Sequence, residues 1–160
     1  MSMINSDLVN KVSDKLKKHQ VTIATAESCT GGLLAHTLTN ISGSSRYFDC
    51  GVISYSNTAK IQLLGVPEQL LKKHGAVSKE VAVAMAEAIR HRTQVTYGLA
   101  TTGIAGPTGG TKDKPVGLVY IALSTKNSVV VKQFLFSGDR LANKESACIA
   151  ALELLLEIQS

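Results

Sequence analysis

The 160-residue chain is poor in aromatic residues and in cysteine, and each shortage excludes a class of protein. Aromatic residues make up 4% of the chain and tryptophan is absent, so the stacking platforms of single-strand nucleic-acid binders are not expected. The three cysteines are widely spaced and form no Cys-x-x-Cys pair, which excludes a disulfide framework and a cysteine zinc site. No apolar run approaches the roughly 20 residues that a membrane span needs.

The beginning of the chain also lacks the basic and apolar blocks of a signal peptide, since Asn5, Asp7 and Asn10 lie there. We therefore expect a cytoplasmic protein with reduced thiols and no membrane partner. Histidine, cysteine and carboxylate residues show no metal-ligand spacing, so neither a metal nor another cofactor is expected. A hydrophobic fraction of 44% is enough for one core and predicts a single domain over residues 1–160.

The net charge of +5 favours anionic ligands in general. Many of the lysines fall on predicted helices, where they are typical of solvated helix faces or of helix ends that favour cations. No nucleic-acid partner is expected from this charge distribution.

Hydrophobic periodicity predicts helices and strands that alternate along most of the chain. Short apolar segments predict five strands, over residues 21–24, 51–55, 97–101, 116–124 and 128–136. Capped or amphipathic segments predict helices around 8–16, after Gly32, and over 58–64, 67–75, 78–93 and 140–157. The sequence thus predicts a three-layer α/β/α domain with a mixed, mostly parallel sheet that ends in an antiparallel hairpin.

Polar residues fall at the carboxyl ends of the first three predicted strands. Ser28 follows the first strand, Tyr55 ends the second and Thr102 follows the third. Ligands of open α/β sheets bind beyond the carboxyl ends of the strands, so we expect these residues to contribute to one site.

The segment Thr25-Ala26-Glu27-Ser28-Cys29-Thr30-Gly31-Gly32 places a serine at the corner between a strand and a helix. Such a corner presents a nucleophile, and the unpaired backbone N–H groups around Thr30 and Gly31 can hold an oxyanion or a phosphate. The same residues are also typical of a capped helix start followed by a glycine turn. Cys29 is an alternative nucleophile, although small buried cysteines are common.

A lysine is the remaining base for Ser28, because none of the four histidines is well placed for that role. Lys60 lies in the first turn of the helix after the second strand, and serine–lysine pairs are a known variant of nucleophilic catalysis. Its pKa would have to fall from about 10.4 toward about 7, mostly through burial. A surface lysine is the alternative interpretation, and an ion pair with Glu27 would oppose a role as base.

The glycine-rich segment that begins at Thr102 and Gly103 offers a hydroxyl and flexible backbone N–H groups, which suit a phosphate or a carboxamide. It lacks the Gly-Lys-Ser/Thr of a P-loop. Arg140, at the start of the last predicted helix, is a candidate for a phosphate contact or else an ordinary exposed arginine.

Six segments form a specific set when they are taken together and in order. They are the octapeptide 25–32, Tyr55-Ser56-Asn57 with Lys60, Leu64-Gly65-Val66, Gly75-Ala76-Val77-Ser78, Thr102-Gly103-Ile104-Ala105-Gly106-Pro107 with Gly109-Gly110, and Lys114-Pro115-Val116-Gly117. With this set the chain resembles the CinA C-terminal domain family over nearly its whole length. It is similar to the short form, without the additional N-terminal domain of longer members.

The resemblance implies hydrolysis of the carboxamide of nicotinamide mononucleotide to nicotinic acid mononucleotide and ammonia, a step of pyridine-nucleotide (NAD) recycling. It implies Ser28 as nucleophile, Lys60 as general base and Tyr55 as an assisting or orienting residue. It also implies a nucleotide site lined by Ser45, Thr102 and Arg140.

The chain departs from the family pattern at Asn143 and Lys144, where an apolar residue and an arginine are expected. Lysine keeps the charge of arginine but loses its planar fork, so a phosphate contact there would differ. The alternative function is a non-catalytic nucleotide-binding or regulatory module connected with DNA uptake and damage. The apolar content of so small a domain also predicts a homo-oligomer, a dimer or larger.

Overall fold

Helices and strands alternate through most of the fold. The computed structural model describes residues 2–159. In chain order its elements are α1 (Ser6–Lys18), β1 (Ile23–Glu27), α2 (Leu33–Thr39), a 3₁₀ turn (Ser44–Arg46), β2 (Phe48–Ile53), α3 (Asn57–Leu64), α4 (Glu68–His74), α5 (Lys79–Thr93), β3 (Tyr97–Gly103), β4 (Leu118–Ser124), β5 (Val129–Leu135) and α6 (Arg140–Glu157).

The five strands form one mixed sheet in the order β2-β1-β3-β4-β5. Strand β1 is parallel to both β2 and β3, whereas β4 is antiparallel to β3 and to β5. The register pairs Glu27 with Ile53 on one side and with Thr101 on the other. The carboxyl ends of β1, β2 and β3 therefore meet at one edge of the sheet.

Helices cover both faces of the sheet, which confirms the predicted three-layer architecture. Side chains alternate between faces along each strand, so Ile23 and Leu99 pack on the side of α1, α2 and α6. Ala24 and Ala100 face the side of α3, α4 and α5. Because each face is covered, the central strands β1 and β3 are buried along nearly their whole length.

Several strand boundaries differ from the sequence predictions, and two of them bear on the candidate site. Strand β1 ends at Glu27 rather than at residue 24, because hydrogen bonds allow the polar side chain of Glu27 to be buried in the strand. Strand β2 ends at Ile53, so Tyr55 lies two residues beyond the strand rather than at its last position. The last helix has the predicted bounds, and Asp139 caps it by accepting a hydrogen bond from the Ala142 N–H at 2.9 Å.

Candidate active site

Ser28 lies at a tight corner between β1 and α2. Two consecutive glycines with positive φ, Gly31 at +61° and Gly32 at +97°, turn the chain into the helix. The backbone N–H of Ser28 donates to the Thr101 carbonyl at 3.0 Å, which ties the corner to β3. The side chain of Ser28 is therefore held at the carboxyl edge of the parallel strands, with 8% of the residue exposed.

Lys60 reaches Ser28 from the first turn of α3. The residue is 1% exposed although it carries an amine. Its Nζ donates to Ser28 Oγ at 3.0 Å, to the Ser54 carbonyl at 2.8 Å and to the Tyr55 carbonyl at 3.2 Å. The structure thus brings together the serine and the lysine that the sequence singled out, 32 residues apart in the chain.

Burial lowers the pKa of Lys60 from its ordinary value of 10.5 to about 8. A neutral amine has two N–H donors and one lone pair. When its two N–H groups donate to the carbonyls of Ser54 and Tyr55, the lone pair is left for the hydroxyl proton of Ser28. The arrangement can therefore withdraw a proton from Ser28 and return it.

The Glu27 carboxylate occupies the start of α2, where the sequence predicted a bound anion. It accepts hydrogen bonds from four donors, namely Thr30 Oγ1 at 2.6 Å and the N–H groups of Gly32 at 3.1 Å, Leu34 at 3.1 Å and Ala35 at 2.8 Å. Helix α2 has glycine as its N-cap residue and no capping side chain there. A carboxylate a few residues before such a helix start is the sequence signal for this role, which was not predicted for Glu27.

Thr30 and Gly31, whose backbone N–H groups were predicted to hold an oxyanion, differ in how the structure uses those groups. The Gly31 N–H donates to the Ser28 carbonyl at 3.1 Å, and the Thr30 hydroxyl donates to Glu27. Within residues 2–159, the backbone N–H groups of Cys29 and Thr30 donate no hydrogen bond to the backbone of another residue. These two groups follow Ser28 directly in the chain.

Tyr55 and Arg140 meet at the rim of the site. Tyr55 is 56% exposed, and its Oη accepts a hydrogen bond from Arg140 Nη2 at 2.9 Å. Arg140 Nη1 donates to the Gly106 carbonyl at 2.8 Å, which connects the start of α6 to the glycine-rich loop. The Tyr55 carbonyl also accepts from Lys60 Nζ. Tyr55 therefore contacts the buried lysine through its backbone and the Arg140 guanidinium through its side chain.

A second cation, Lys144, lies one helical turn after Arg140. A Cβ placed on Gly31 would be 3.4 Å from Lys144 Nζ, so this ammonium borders the corner that carries Ser28. The neighbouring Asn143 has a structural role, since it accepts from the Gly138 N–H at 2.9 Å and donates to the Ala105 carbonyl at 3.0 Å. Asn143 is buried, and its two hydrogen bonds join the segment before α6 to the loop after β3.

The other expected site residues, Thr102, Gly103 and Ser45, differ in whether the structure places them at the edge that carries Ser28. Thr102 lies at the same carboxyl edge of the sheet as Ser28, but it is buried and its hydroxyl donates to the Ala76 carbonyl at 2.8 Å. Gly103 gives room for strand packing, because a Cβ there would be 2.6 Å from Val119 Cγ2. Ser45 is not brought to the site. It lies before the start of β2, and β2 runs parallel to β1, so Ser45 is at the edge of the sheet opposite to Ser28.

Cys29 is not an available nucleophile. Burial raises the pKa of its thiol to about 12, which keeps the reactive thiolate form scarce. Within the described part of the chain, no three histidine, cysteine or acidic side chains gather in a way that would hold a metal ion. In the same residues, every helix is too short or too polar to cross a membrane.

Fold and site together define a three-layer α/β domain with a buried serine–lysine pair at the carboxyl edge of its parallel strands. The chain matches the CinA C-terminal domain over residues 5–159, and it belongs to that family.

Relatives of known sequence and structure carry the same domain. The chain is 58% identical to the CinA-like protein of Koribacter versatilis over 125 residues, which are 78% of this chain and 30% of that protein. It is 49% identical to the CinA-like protein of Chloroherpeton thalassium over 155 residues, 94% of this chain and 37% of that protein. The chain thus spans about a third of the length of these curated relatives.

Solved structures of similar size superpose closely. The competence/damage inducible protein CihA from Agrobacterium tumefaciens gives a TM-score of 0.93 at 37% identity and covers 98% of both chains. A competence-damaged protein (CinA) superfamily protein from Escherichia coli gives a TM-score of 0.92 at 31% identity, over 99% of this chain and 95% of that one.

Proposed function

We propose that this protein is a nicotinamide-nucleotide amidase, which hydrolyses the carboxamide of nicotinamide mononucleotide through a serine–lysine acyl-enzyme. The observation that supports this most directly is the 3.0 Å hydrogen bond between Lys60 Nζ and Ser28 Oγ. Both residues are buried, and the pKa of the lysine is lowered to about 8 by that burial. The arrangement provides a nucleophile and its base without a metal ion.

The reaction proceeds in two halves. Ser28 Oγ attacks the carboxamide carbon while its proton passes to Lys60 Nζ, and the carbonyl oxygen becomes an oxyanion. Collapse of this intermediate breaks the carbon–nitrogen bond, and the leaving amine takes the proton from Lys60 to depart as ammonia. Water then attacks the acyl-serine with Lys60 as base, which releases the carboxylic acid and restores the hydroxyl of Ser28.

We assign the oxyanion to the backbone N–H groups of Cys29 and Thr30. In the part of the chain that the structure describes they donate to no other backbone group, and they directly follow the nucleophile. Backbone donors held in advance at such a place stabilise developing negative charge without reorganisation. Glu27 already satisfies the later N–H groups of the turn, so those groups are not free for the substrate.

The charges at the rim of the site support a nucleotide as the substrate rather than a simple amide. Arg140 at the rim and Lys144 beside the Ser28 corner lie one helical turn apart and supply two positive charges. A guanidinium and an ammonium bind a phosphate well. The exposed ring of Tyr55 lies between the buried pair and Arg140, where a pyridine ring and its ribose would connect carboxamide to phosphate.

The decisive experiment measures ammonia released by the purified protein from nicotinamide mononucleotide, its riboside, nicotinamide and NAD. We expect release from the mononucleotide, with kcat/KM at least roughly tenfold above that for the riboside, because a charged hydrogen bond to phosphate contributes about 1.5–3 kcal/mol. If no pyridine nucleotide releases ammonia while the mononucleotide still raises the Tm, the protein is a non-catalytic nucleotide-binding module instead.

Lys144→Ala tests the phosphate contact. The variant is expected to raise KM for the mononucleotide about tenfold with little change in kcat, because the lost charge contacts a part of the substrate that does not react. Turnover of the riboside should be unchanged. Lys126→Ala removes an exposed lysine from the turn between β4 and β5 and serves as the matched control. Equal losses with both substrates would contradict the assignment.

A further inference from the structure

We propose that Glu27 is a positioning residue that sets the geometry of both members of the Ser28–Lys60 pair. The proposal rests on the serine–lysine chemistry given above. It assigns a role to a carboxylate that is 1% exposed and that the reaction steps themselves do not use.

The side chain of Glu27 fixes the turn that carries the nucleophile. Its four hydrogen bonds hold Thr30 and the first N–H groups of α2, so the chain on the carboxyl side of Ser28 is anchored to the residue on its amino side. The backbone N–H groups of Cys29 and Thr30, which we assign to the oxyanion, lie inside this clamped segment. Movement of the carboxylate would displace nucleophile and oxyanion donors together.

The backbone of Glu27 is connected to Lys60 through Ser54. The Glu27 carbonyl accepts a hydrogen bond from the Ser54 N–H at 2.8 Å. The Ser54 carbonyl in turn accepts from Lys60 Nζ, also at 2.8 Å. One residue at the end of β1 is therefore connected through its side chain to the serine corner and through its main chain to the lysine.

A third connection joins this network to the neighbouring strand β3. Thr30 Oγ1 lies 2.8 Å from Thr101 Oγ1, and the Thr101 carbonyl accepts from the Ser28 N–H. Glu27, Thr30 and Thr101 are all buried. Buried polar networks with satisfied partners rigidify their surroundings, as a nucleophile with a fixed attack direction requires.

The geometry requires a carboxylate rather than an amide. Oε2 accepts from three of the donors and Oε1 accepts from the Ala35 N–H. An ionised carboxylate offers only acceptors, whereas the glutamine amide would place an NH₂ group against at least one N–H donor. Within residues 2–159 Glu27 forms no ion pair with Lys60, so its charge is used to cap α2 and not to hold the lysine protonated.

The test is Glu27→Gln in the full chain, with two readouts on the folded protein. The first is the rate of covalent labelling of Ser28 by a fluorophosphonate, followed by intact mass, because this reaction needs the activated serine but not the natural substrate. The second is steady-state ammonia release. We expect the labelling rate and kcat to fall at least tenfold, KM to stay within about twofold, and the midpoint of the pH–rate profile to stay at the wild-type value.

Asn5→Ala, which removes the side chain that caps α1, is the control for simple loss of a helix cap. It should destabilise the protein without changing the labelling rate of the folded fraction. Thr30→Val deletes one of the four donors and should give a smaller loss in the same direction, which keeps the test possible if Glu27→Gln does not fold.

Equal labelling of wild type and Glu27→Gln would overturn the positioning role and leave the proposed amidase intact. If wild type is labelled but releases no ammonia from pyridine nucleotides, the substrate assignment fails while the labelling rates still decide the role of Glu27. If wild type is not labelled at all, Ser28 is not an activated nucleophile and both proposals fail.

Discussion

Ser28→Ala is expected to lower kcat for ammonia release by at least roughly 10³-fold, because removal of a nucleophile leaves only binding and oxyanion stabilisation to accelerate the reaction. The hydroxyl of Ser28 contacts Lys60 and lies at the carboxyl edge of the sheet, where we propose that the carboxamide binds. KM should change little, since the alanine removes no group that binds the phosphate. The measurement is steady-state kinetics on protein whose circular dichroism and Tm match the wild type.

Cys29→Ala is the matched control for this prediction, because it changes the adjacent residue and removes the only thiol at the corner. Burial raises the pKa of Cys29 to about 12 and keeps its thiolate scarce, so activity should stay within a few fold of wild type. Intact mass after rapid quenching should show an acyl adduct on wild type and none on Ser28→Ala. Full turnover by Ser28→Ala would sink the nucleophile assignment.

The fold was predictable because its elements have strong local signals. Alternating apolar strands and capped helices identified every layer, and the predicted bounds of the last helix, 140–157, are those of α6. The meeting of Ser28 and Lys60 also followed from the sequence, since both come just after parallel strands and the carboxyl ends of such strands share an edge.

The polar interior of the site could not be predicted in the same way. Glu27 is a charged residue that sequence patterns place on the surface, and only the convergence of four donors explains its burial. The same limitation applies to Lys60, whose burial goes with hydrogen bonds to Ser28 and to the carbonyls of Ser54 and Tyr55. Hydrophobic periodicity carries no information on such long-range hydrogen bonds.

Ser45 shows a different limit, because it was assigned by resemblance rather than by position. A residue that precedes a strand parallel to β1 lies at the amino edge of the sheet, away from Ser28. Lys144 shows the reverse case. It departs from the expected arginine, yet its ammonium borders Gly31 at the corner of the site.

Lys60→Met is expected to abolish ammonia release to a similar extent as Ser28→Ala, because the serine then has no base within reach. Methionine has a length close to that of lysine and fills the same buried volume, so the fold should be retained. Lys60→Arg is the companion variant. It keeps the positive charge but stays protonated at all working pH values, so it too should be inactive. An active arginine variant would show that Lys60 acts through its charge and not as a base.

The pH dependence of wild-type kcat/KM provides an independent check on Lys60. The working form of a base is the neutral amine, which predominates above its pKa, so the rate should rise with pH through a midpoint near 8. At pH 7 about a tenth of the molecules carry the neutral form. A profile that is flat between pH 6.5 and 9, or one that falls, would contradict a lysine base.

The stability difference between Lys60→Met and wild type should depend on pH. A pKa lowered from 10.5 to about 8 means that the folded site disfavours the charged amine by roughly 3 kcal/mol. Between these two pH values the unfolded chain holds the proton that the folded chain has lost, so wild-type stability rises with pH across this window. Below pH 8 the folded wild type carries the whole free-energy cost of the charged, buried amine.

Lys60→Met lacks this titration. Its stability relative to wild type should therefore be greatest at pH 8 or below and should decline as pH rises to 10.5, in addition to a pH-independent cost for the Ser54 and Tyr55 carbonyls that lose their donor. Denaturant unfolding of both proteins at pH 7, 9 and 10.5 measures the difference. If the gap between the two free energies of unfolding stays constant over this range, the amine is not held in its neutral form by the fold. The hydrogen bond to Ser28 would then be that of an ordinary ammonium, which cannot accept the proton that the amidase mechanism transfers.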